Sequence, residues 1–156
     1  MKNSIGLDKK KVKVLTDKLN DLLANYQLYY QNLRGFHWNL KGNDFFTLHI
    51  KFEELYNAAQ LSIDEIAERI VTLEAIPLHT YTDYVKQSTI KEHKNVTTSN
   101  DTVSKTVTNL STLIEKERDA LKSADEAGDE STIDLMTQLI AFQEKTIWML
   151  NSFKHK

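Results

Sequence analysis

Residues that end regular structure are scarce in this chain, and their scarcity limits the folds open to it. One proline and four glycines occur in 156 residues, too few to punctuate the many short strands of a β protein. Apolar residues instead recur at steps of three and four, which is the spacing of a helix that buries one face. The sequence therefore predicts a few long helices.

Two helices are predicted in the first half of the chain. The first is capped by Asp8, and a turn at Gly42 separates it from a second helix that is capped by Asn43 or Asp44 and ends before Pro77. The apolar row of the first helix comprises Leu15, Leu19, Leu22, Tyr26, Tyr29, Leu33 and Phe36. The row of the second helix comprises Phe52, Tyr56, Ala59, Ile63, Ile66 and Ile70. Each row is typical of a bundle helix.

The second half of the chain predicts two more long helices. One begins at Ser99 or Asn100, and the other covers about residues 129–153 after a turn at Gly128. Roughly 25 residues separate the second and third helices, a crossover long enough to run the length of a bundle. A short helix capped by Thr82 is expected within that crossover. The fold class predicted is all-α, a four-helix bundle formed as a single domain over residues 1–156.

Composition excludes several function classes. With 20 Lys and Arg against 22 Asp and Glu, a net charge of −2 gives no overall attraction to nucleic acid or to an anionic membrane. The absence of cysteine excludes disulfides, thiolate metal sites and a cysteine nucleophile. The sequence also lacks an apolar run suited to a membrane span or a secretory signal. A cytoplasmic protein is expected.

The second predicted helix carries possible metal ligands beside its apolar row. His49, Glu53, Asp64 and Glu68 fall within one sector of that helix. Carboxylates in such a sector usually form a solvated face, whereas imidazole with carboxylate also suits a divalent metal such as Fe(II), Mn(II) or Zn(II). His49 and Asp64 lie roughly 22 Å apart along a straight helix. One chain therefore cannot bring His49 with Glu53 and Asp64 with Glu68 to the same metal ion.

A second copy of the chain could close such a site. The point between positions 58 and 59 lies midway between His49 and Glu68 and also midway between Glu53 and Asp64. Two copies of this helix that cross antiparallel at that point about a two-fold axis would bring each residue opposite its mate. On geometry alone, a site shared between two subunits and a solvated face both remain open. His37, at the end of the first helix, could add a further nitrogen ligand.

Three segments in this region resemble one known family. They read FHWNLKG, FFTLHIKFEELY and IDEIAERI, and the resemblance continues through EAGDESTIDLM and IWML near the C-terminus. Together they resemble the Dps family (DNA-binding protein from starved cells), the dodecameric mini-ferritins of the ferritin-like superfamily. The resemblance covers nearly the whole chain, and it implies a ferritin-like four-helix bundle that assembles into a homo-oligomer of 12 subunits.

The resemblance also implies an activity and a set of ligands. In the family, two histidines and one carboxylate of one subunit and two carboxylates of its two-fold mate bind Fe(II), and the matching positions are His37, His49, Glu53, Asp64 and Glu68. Hydrogen peroxide would oxidise the bound Fe(II), and the shell would store the Fe(III) as mineral. Many members have Asp where this chain has Glu53, and Glu74 with Ala75 replace a common Gly-Gly turn.

An acidic stretch near the end of the chain has two interpretations. DEAGDESTID, residues 125–134, holds five acids and no base, which is compatible with a solvated turn between helices. By resemblance, Asp125, Glu130 and Asp134 match the acids that line the three-fold pores of Dps shells. There they would attract incoming Fe(II).

Other features lead to weaker expectations. No histidine has Glu three positions before it, which disfavours the intrasubunit di-iron site of ferritins and rubrerythrins. His79, His93 and His155 have no partners at ligand spacing and are interpreted as surface or loop residues. DNA binding is doubtful, because the early lysines fall largely within the first helix. The alternatives are a nucleoid-binding or structural shell without significant ferroxidase activity, and a plain helical interaction protein.

Overall fold

Four long helices and one short helix make up the structure, a computed structural model that describes residues 1–154. The elements are α1 (Lys9–Asn39), α2 (Phe45–Thr72), α3 (Tyr81–Gln87), α4 (Ser99–Ala127) and α5 (Glu130–Lys154). The long helices pack as a bundle, and α3 lies within the crossover between α2 and α4. The predicted all-α fold with a helix-bearing crossover is confirmed. His155 lies outside the described residues.

Helix α1 is the centre of the packing. The Asp8 side chain accepts hydrogen bonds from the backbone N–H groups of Lys10 (2.9 Å) and Lys11 (3.1 Å), so the predicted cap is confirmed. All seven residues of the predicted apolar row are buried. The helix packs against α2, α3 and α4, and it supplies more of the shared core than any other helix.

The end of α2 shows how the chain manages without the Gly-Gly turn. Glu74 takes a left-handed conformation (φ 67°), and its N–H donates to the Val71 carbonyl while the Ala75 N–H donates to the Ile70 carbonyl. These two bonds form a Schellman motif, which glycine normally completes. The Glu74 carboxylate also accepts from the Ser4 N–H (2.8 Å), and hydrogen bonds from Ser4 lower the pKa of Glu74.

The crossover follows α1 closely. The cap of α3 is Thr80 rather than the predicted Thr82, because the Thr80 backbone is extended and its hydroxyl accepts from the Asp83 N–H (3.3 Å). Beyond α3, Asn25 accepts from the N–H groups of Thr89 (3.1 Å) and Ile90 (2.9 Å). Asn32 donates to the Lys91 carbonyl (2.9 Å) and accepts from the His93 N–H (3.0 Å). Two amides of α1 therefore fix the course of the crossover.

A buried ion pair joins α2 to the turn between α4 and α5. Gly128 ends α4 in the left-handed conformation (φ 68°), and Asp129 then accepts from the Thr132 N–H (3.1 Å) at the start of α5. Arg69 of α2 bonds the same Asp129 carboxylate at 2.7 Å. Asp129 is almost completely buried. The acidic turn is therefore held in one position against the bundle.

The first residues fold back on the bundle. The Lys9 N–H donates to the Met1 carbonyl (2.9 Å), and the Leu7 N–H donates to the buried Asn3 side chain (2.8 Å). No helix within residues 1–154 is apolar over a stretch long enough to cross a bilayer. His79 is exposed, and His93 is partly buried in the crossover, where its ring stacks on Phe36. Both are loop residues, as predicted.

Candidate metal centre

His37 and His49 form a pair between the end of α1 and the start of α2. Their rings stack with centroids 3.7 Å apart and planes inclined by 12°. His37 Nδ1 lies 2.7 Å from the His49 carbonyl oxygen, and His49 Nδ1 lies 2.8 Å from the His37 carbonyl oxygen. His37 is buried and His49 is half-buried. The short turn of residues 40–44 makes this reciprocal arrangement possible, because it brings the two helices back against each other.

The reciprocal bonds fix the chemistry of both rings. A carbonyl oxygen only accepts hydrogen bonds, so each Nδ1 carries a proton and donates it. In a neutral imidazole the other nitrogen, Nε2, then has a free lone pair. A histidine held through one nitrogen by a carbonyl is typical of metal ligands, because the bond fixes both the tautomer and the ring orientation. Each ring of the pair can therefore offer one nitrogen donor to a metal ion.

Aromatic side chains surround the histidine pair. Phe45 stacks on His49 with centroids 4.8 Å apart, and Tyr56 meets His37 edge-on at 5.3 Å. Tyr56 in turn meets Tyr30 of α1 edge-on at 6.1 Å. These contacts help to fix the positions of both imidazole rings.

The three predicted carboxylate ligands lie on the outward side of α2. Glu53, Asp64 and Glu68 are all exposed. Only the two histidines come together in one chain, and no group of three His, Cys, Asp or Glu side chains within residues 1–154 could hold a metal ion. A centre built from these five residues therefore needs a second copy of the chain.

Exposed apolar side chains on α2 mark the same outward face. Phe46 is 80% exposed and Val71 is 58% exposed, and the point midway between them is again the one between positions 58 and 59. Leu61 is 69% exposed, and its mate about that point is Tyr56. The sequence analysis missed this apolar set because it followed only the buried row. Large apolar groups left in water on one helix face favour burial against another chain.

The acids predicted to line a pore lie around the turn between α4 and α5. Asp125, Glu130 and Asp134 are exposed, and Gln138 donates to the Asp134 carboxylate at 2.8 Å. Asp129, which belongs to the same acidic stretch, points inward to Arg69 instead. Glu126 is exposed as well, so the stretch divides into four exposed acids and one buried structural acid.

A second polar cluster, formed by Tyr26, Glu117 and Gln143, lies at the centre of the bundle. The Tyr26 hydroxyl and the Gln143 amide both donate to Glu117 Oε1, at 2.8 and 2.6 Å. Glu117 is fully buried, and this burial raises the pKa of its carboxyl to about 8. Neither Glu117 Oε2 nor Gln143 Oε1 has a hydrogen-bond partner in the described part of the chain. The sequence analysis missed this cluster, because Glu117 lies in a charged run that looks solvated.

Comparison with known proteins shows which class of protein this chain resembles. The ferritin-like domain family matches residues 16–156. The crystal structure of the Dps protein from Vibrio cholerae O1, described as a member of a broad superfamily of ferritin-like diiron-carboxylate proteins, superposes with a TM-score of 0.96 at 48% identity, covering 97% of this chain and 96% of that one. The chain is thus similar throughout to a ferritin-like protein.

Two further relatives narrow the class to one family. The DNA protection during starvation protein of Porphyromonas gingivalis is 40% identical over 151 residues, which are 97% of this chain and 95% of that protein. The crystal structure of a Dps protein from Bacillus brevis is 37% identical with a TM-score of 0.90, covering 98% and 99% of the two chains. The chain belongs to the Dps family of ferritin-like proteins.

Proposed function

We propose that this chain is a ferroxidase subunit of an iron-storing shell, with Fe(II) bound as substrate between two subunits. His37, His49 and Glu53 of one copy and Asp64 and Glu68 of a second copy are the ligands. The observation that carries the proposal is the reciprocal pair of histidine bonds, which leaves Nε2 of both rings for a metal ion beside a face that one chain leaves incomplete.

The donor set fits iron. Imidazole nitrogens together with carboxylate oxygens suit Fe(II), and no thiolate is present to favour softer ions. The carbonyl bonds occupy Nδ1 of each histidine, so Nε2 is the nitrogen left to bind the ion. Glu53 lies one turn after His49, where its carboxylate can hold a second iron or a water on that iron.

Hydrogen peroxide is the proposed oxidant. Two Fe(II) ions each give one electron, and with two protons the peroxide leaves as two waters, so that two Fe(III) ions form. Holding two irons together matters because a single electron would split peroxide into hydroxide and hydroxyl radical. The Fe(III) is then stored as mineral inside the shell.

Assembly of the subunits would complete the shared iron site and form the shell that holds the mineral. We propose a homo-oligomer of 12 subunits in the cytoplasm, with α2 of one subunit crossing α2 of its mate between positions 58 and 59. Asn57 and Gln60 flank that point and are exposed, so their amides can bond across the axis. Asp125, Glu130 and Asp134 would repeat around three-fold axes and attract Fe(II) to the pores.

DNA binding is not part of the proposal. Residues 1–7 are bonded to the body of the subunit, and Lys11 bonds the Glu126 carbonyl (2.7 Å) while Lys13 pairs with Asp17 (2.5 Å). These lysines are engaged on the bundle surface instead of forming a free basic arm. A shell that retards DNA at moderate salt but takes up no iron would favour the nucleoid-binding alternative.

Co-assembly of two inactive variants tests the shared site. Light scattering first establishes the size of the shell, and anaerobic Fe(II) titration followed by peroxide measures oxidation. Shells of His49→Ala alone or Asp64→Ala alone are expected to be inactive. In a dimer of one chain of each kind, one site receives both intact ligands, so random equal mixing restores about a quarter of the sites. An absence of recovery in shells shown to be mixed would mean that the site lies within one subunit.

A further inference from the structure

The polar cluster at the centre of the bundle joins three helices through one carboxyl group. Gln143 of α5 donates one Nε2 hydrogen to Glu117 Oε1 of α4 at 2.6 Å and the other to the Tyr26 hydroxyl of α1. Tyr26 in turn donates to Glu117 Oε1 at 2.8 Å. These bonds use both amide hydrogens, the phenol hydrogen and both lone pairs of Oε1. Every donor of the cluster is therefore already engaged.

Two acceptors of the same cluster are left over. Glu117 Oε2 and Gln143 Oε1 are buried, and neither has a hydrogen-bond partner in the part of the chain that the structure describes. A cavity of about 10 Å³ beside Gln143 has room for at most one water. Glu117 is not among the described residues that line this cavity. An ionised Glu117 would therefore keep a buried charge on an oxygen that no donor reaches, which is costly.

The groups around Glu117 supply little positive charge to offset that cost. Its titratable neighbours on α1 are two neutral phenols, Tyr26 and Tyr29. The polar side chain that α2 contributes to the cavity is Ser62, which carries no charge. Arg118, the next residue on α4, bonds Glu144 of α5 at the surface and is more than half exposed, so water screens its charge. Burial therefore raises the pKa of Glu117 to about 8.

One proton would satisfy both of the leftover acceptors. A carboxylic acid and a primary amide can pair through a ring of two hydrogen bonds, in which the amide N–H donates to one carboxyl oxygen and the carboxyl O–H donates to the amide oxygen. The first of these bonds is present between Gln143 Nε2 and Glu117 Oε1. The second requires a proton on Glu117 Oε2 and uses only the two atoms that otherwise have no partner.

The position of Gln143 gives such a ring a role in the packing of α5. Helix α5 packs on α4, and α2 packs on α1. The small cavity lies between α2 and α5, and Phe142, which is half exposed, lines it together with Gln143. We call this space the α2–α5 cleft. Because Gln143 bonds α5 to both α1 and α4 beside the cleft, loss of its bonds would free the side of α5 that faces α2.

We propose that Glu117 and Gln143 form a neutral acid–amide ring that latches α5 to the bundle centre, and that loss of its one proton opens the α2–α5 cleft to water. The proton passes to an entering water molecule, and the carboxylate exchanges its amide partner for water. Opening releases a proton, so it becomes more favourable as pH rises from 4.5 to about 8, where the closed form ionises as well. The latch does not depend on metal binding at the outward face of α2.

Hydrogen exchange of the assembled protein, followed by mass spectrometry, tests the latch. After correction for the intrinsic exchange rate, amides of α5 on either side of Gln143 should exchange about tenfold faster for each pH unit between pH 5 and about pH 8, and no faster above it. Amides at the centre of α1 should exchange more slowly at every pH, because the latch opens α5 without unfolding α1. Equal rates in the two helices, or no dependence on pH in α5, would overturn the latch.

Two substitutions on α4 sharpen the test. Glu117→Gln places an N–H where the carboxyl proton lies, so it keeps the ring but removes the titrating group. Exchange of α5 in this variant should be independent of pH after the same correction. Glu115→Gln, a change of an exposed acid on the same helix, should follow wild type. The latch is wrong if Glu117→Gln shows the same pH dependence as wild type.

Infrared spectroscopy measures the proton directly. The difference between wild type and Glu117→Gln at pH 6 should contain the carbonyl band of one protonated carboxylic acid per chain, and this band should disappear in wild type above pH 8. A carboxylate band in its place at pH 6 would overturn the neutral ring. The same holds for one tightly held metal ion per chain that wild type contains and Glu117→Gln lacks, since a cation would then occupy the leftover acceptors.

Discussion

The bundle centre around Glu117 and the outward face of α2 both hold carboxylates, but under opposite conditions. Glu117 is buried, receives two hydrogen bonds within its own chain and has a raised pKa. Glu53, Asp64 and Glu68 are exposed and lack partners that would make a site within one chain. The interior acid is therefore suited to hold a proton, and the outward acids are suited to share a cation with another chain.

The largest expected effect is on the outward face. His49→Ala combined with Asp64→Ala should leave the shell assembled, because neither residue belongs to the buried apolar row, but fast peroxide-driven oxidation should fall to the rate of free Fe(II). Stopped-flow absorbance after peroxide addition measures the loss. Glu65→Ala is the matched control, since Glu65 is equally exposed beside Asp64 but points about 100° away on the helix. Equal losses in both variants would contradict the assignment.

The second effect concerns the interior acid. The pKa of Glu117 is raised from 4.5 to about 8, so the folded chain holds a proton that the unfolded chain releases across this window. The free energy of unfolding should therefore fall as pH rises from 4.5 to about 8, by a few kcal/mol in total. Glu117→Gln keeps the acceptor for Tyr26 without a charge, and it should remove this dependence.

Thermal unfolding of intact shells between pH 5 and pH 9 compares the stability of Glu117→Gln with that of wild type. The other titrating groups are the same in both proteins, so their contributions cancel in this comparison. Glu117→Gln should match wild type near pH 5 and exceed it near pH 9. Glu115→Gln, an exposed acid on the same helix, should follow wild type throughout. Oxidation of Fe(II) by Glu117→Gln shells should be normal. A loss of oxidation in this variant would mean that the Glu117 cluster contributes to the chemistry on the outward face of α2.

A smaller effect is expected at the acidic turn. Asp125→Asn, Glu130→Gln and Asp134→Asn together remove three charges from each chain, or nine around a three-fold axis, and should slow Fe(II) uptake severalfold at low ionic strength. The ligands on α2 remain intact, so oxidation in excess iron should survive. The initial rate of Fe(II) oxidation, measured against ionic strength for wild-type and triple-variant shells, tests this expectation. Rates that coincide with wild type at every salt concentration would leave the stretch as a solvated turn.

The smallest effect concerns the helix ends. Gly128 and Glu74 complete the same left-handed motif, but only Gly128 does so without steric strain. Gly128→Ala meets open space around its new methyl group and should destabilise the subunit by about 1 kcal/mol. Glu74→Gly should stabilise it by less than about 1 kcal/mol, because relief of strain exceeds the loss of one exposed bond from Ser4. Chemical unfolding measures both, and opposite signs are expected.

Periodicity alone predicted most of the fold. The apolar row of α1 is buried throughout, because a bundle helix has one interior face and the sequence marks it at every turn. The cap of α3 was misplaced, since Thr80 and Thr82 are chemically alike and only the extended backbone at Thr80 distinguishes them. Local sequence does not contain that backbone choice.

The site was predicted less completely than the fold. Spacing singled out His49, Glu53, Asp64 and Glu68, but the stacking of His37 on His49 depends on how two helices meet, which no spacing encodes. The burial of Glu117 depends on Tyr26 and Gln143, which lie 91 and 26 residues away along the chain. Polar contacts over such separations become visible only when the helices are packed.

The amide bonds from Asn25 and Asn32 to the crossover have a consequence for the order of folding. The pairs α1 with α2 and α4 with α5 are joined by short turns, so each hairpin closes at a small entropic cost, whereas the crossover joins distant halves. Its bonds from Ile90 and His93 to α1 join residues 65 and 61 positions apart, so they close larger loops than either hairpin turn. In hydrogen exchange, the amides of Ile90 and His93 should therefore lose protection before those of the long helices, as the chain opens first along its longest connection.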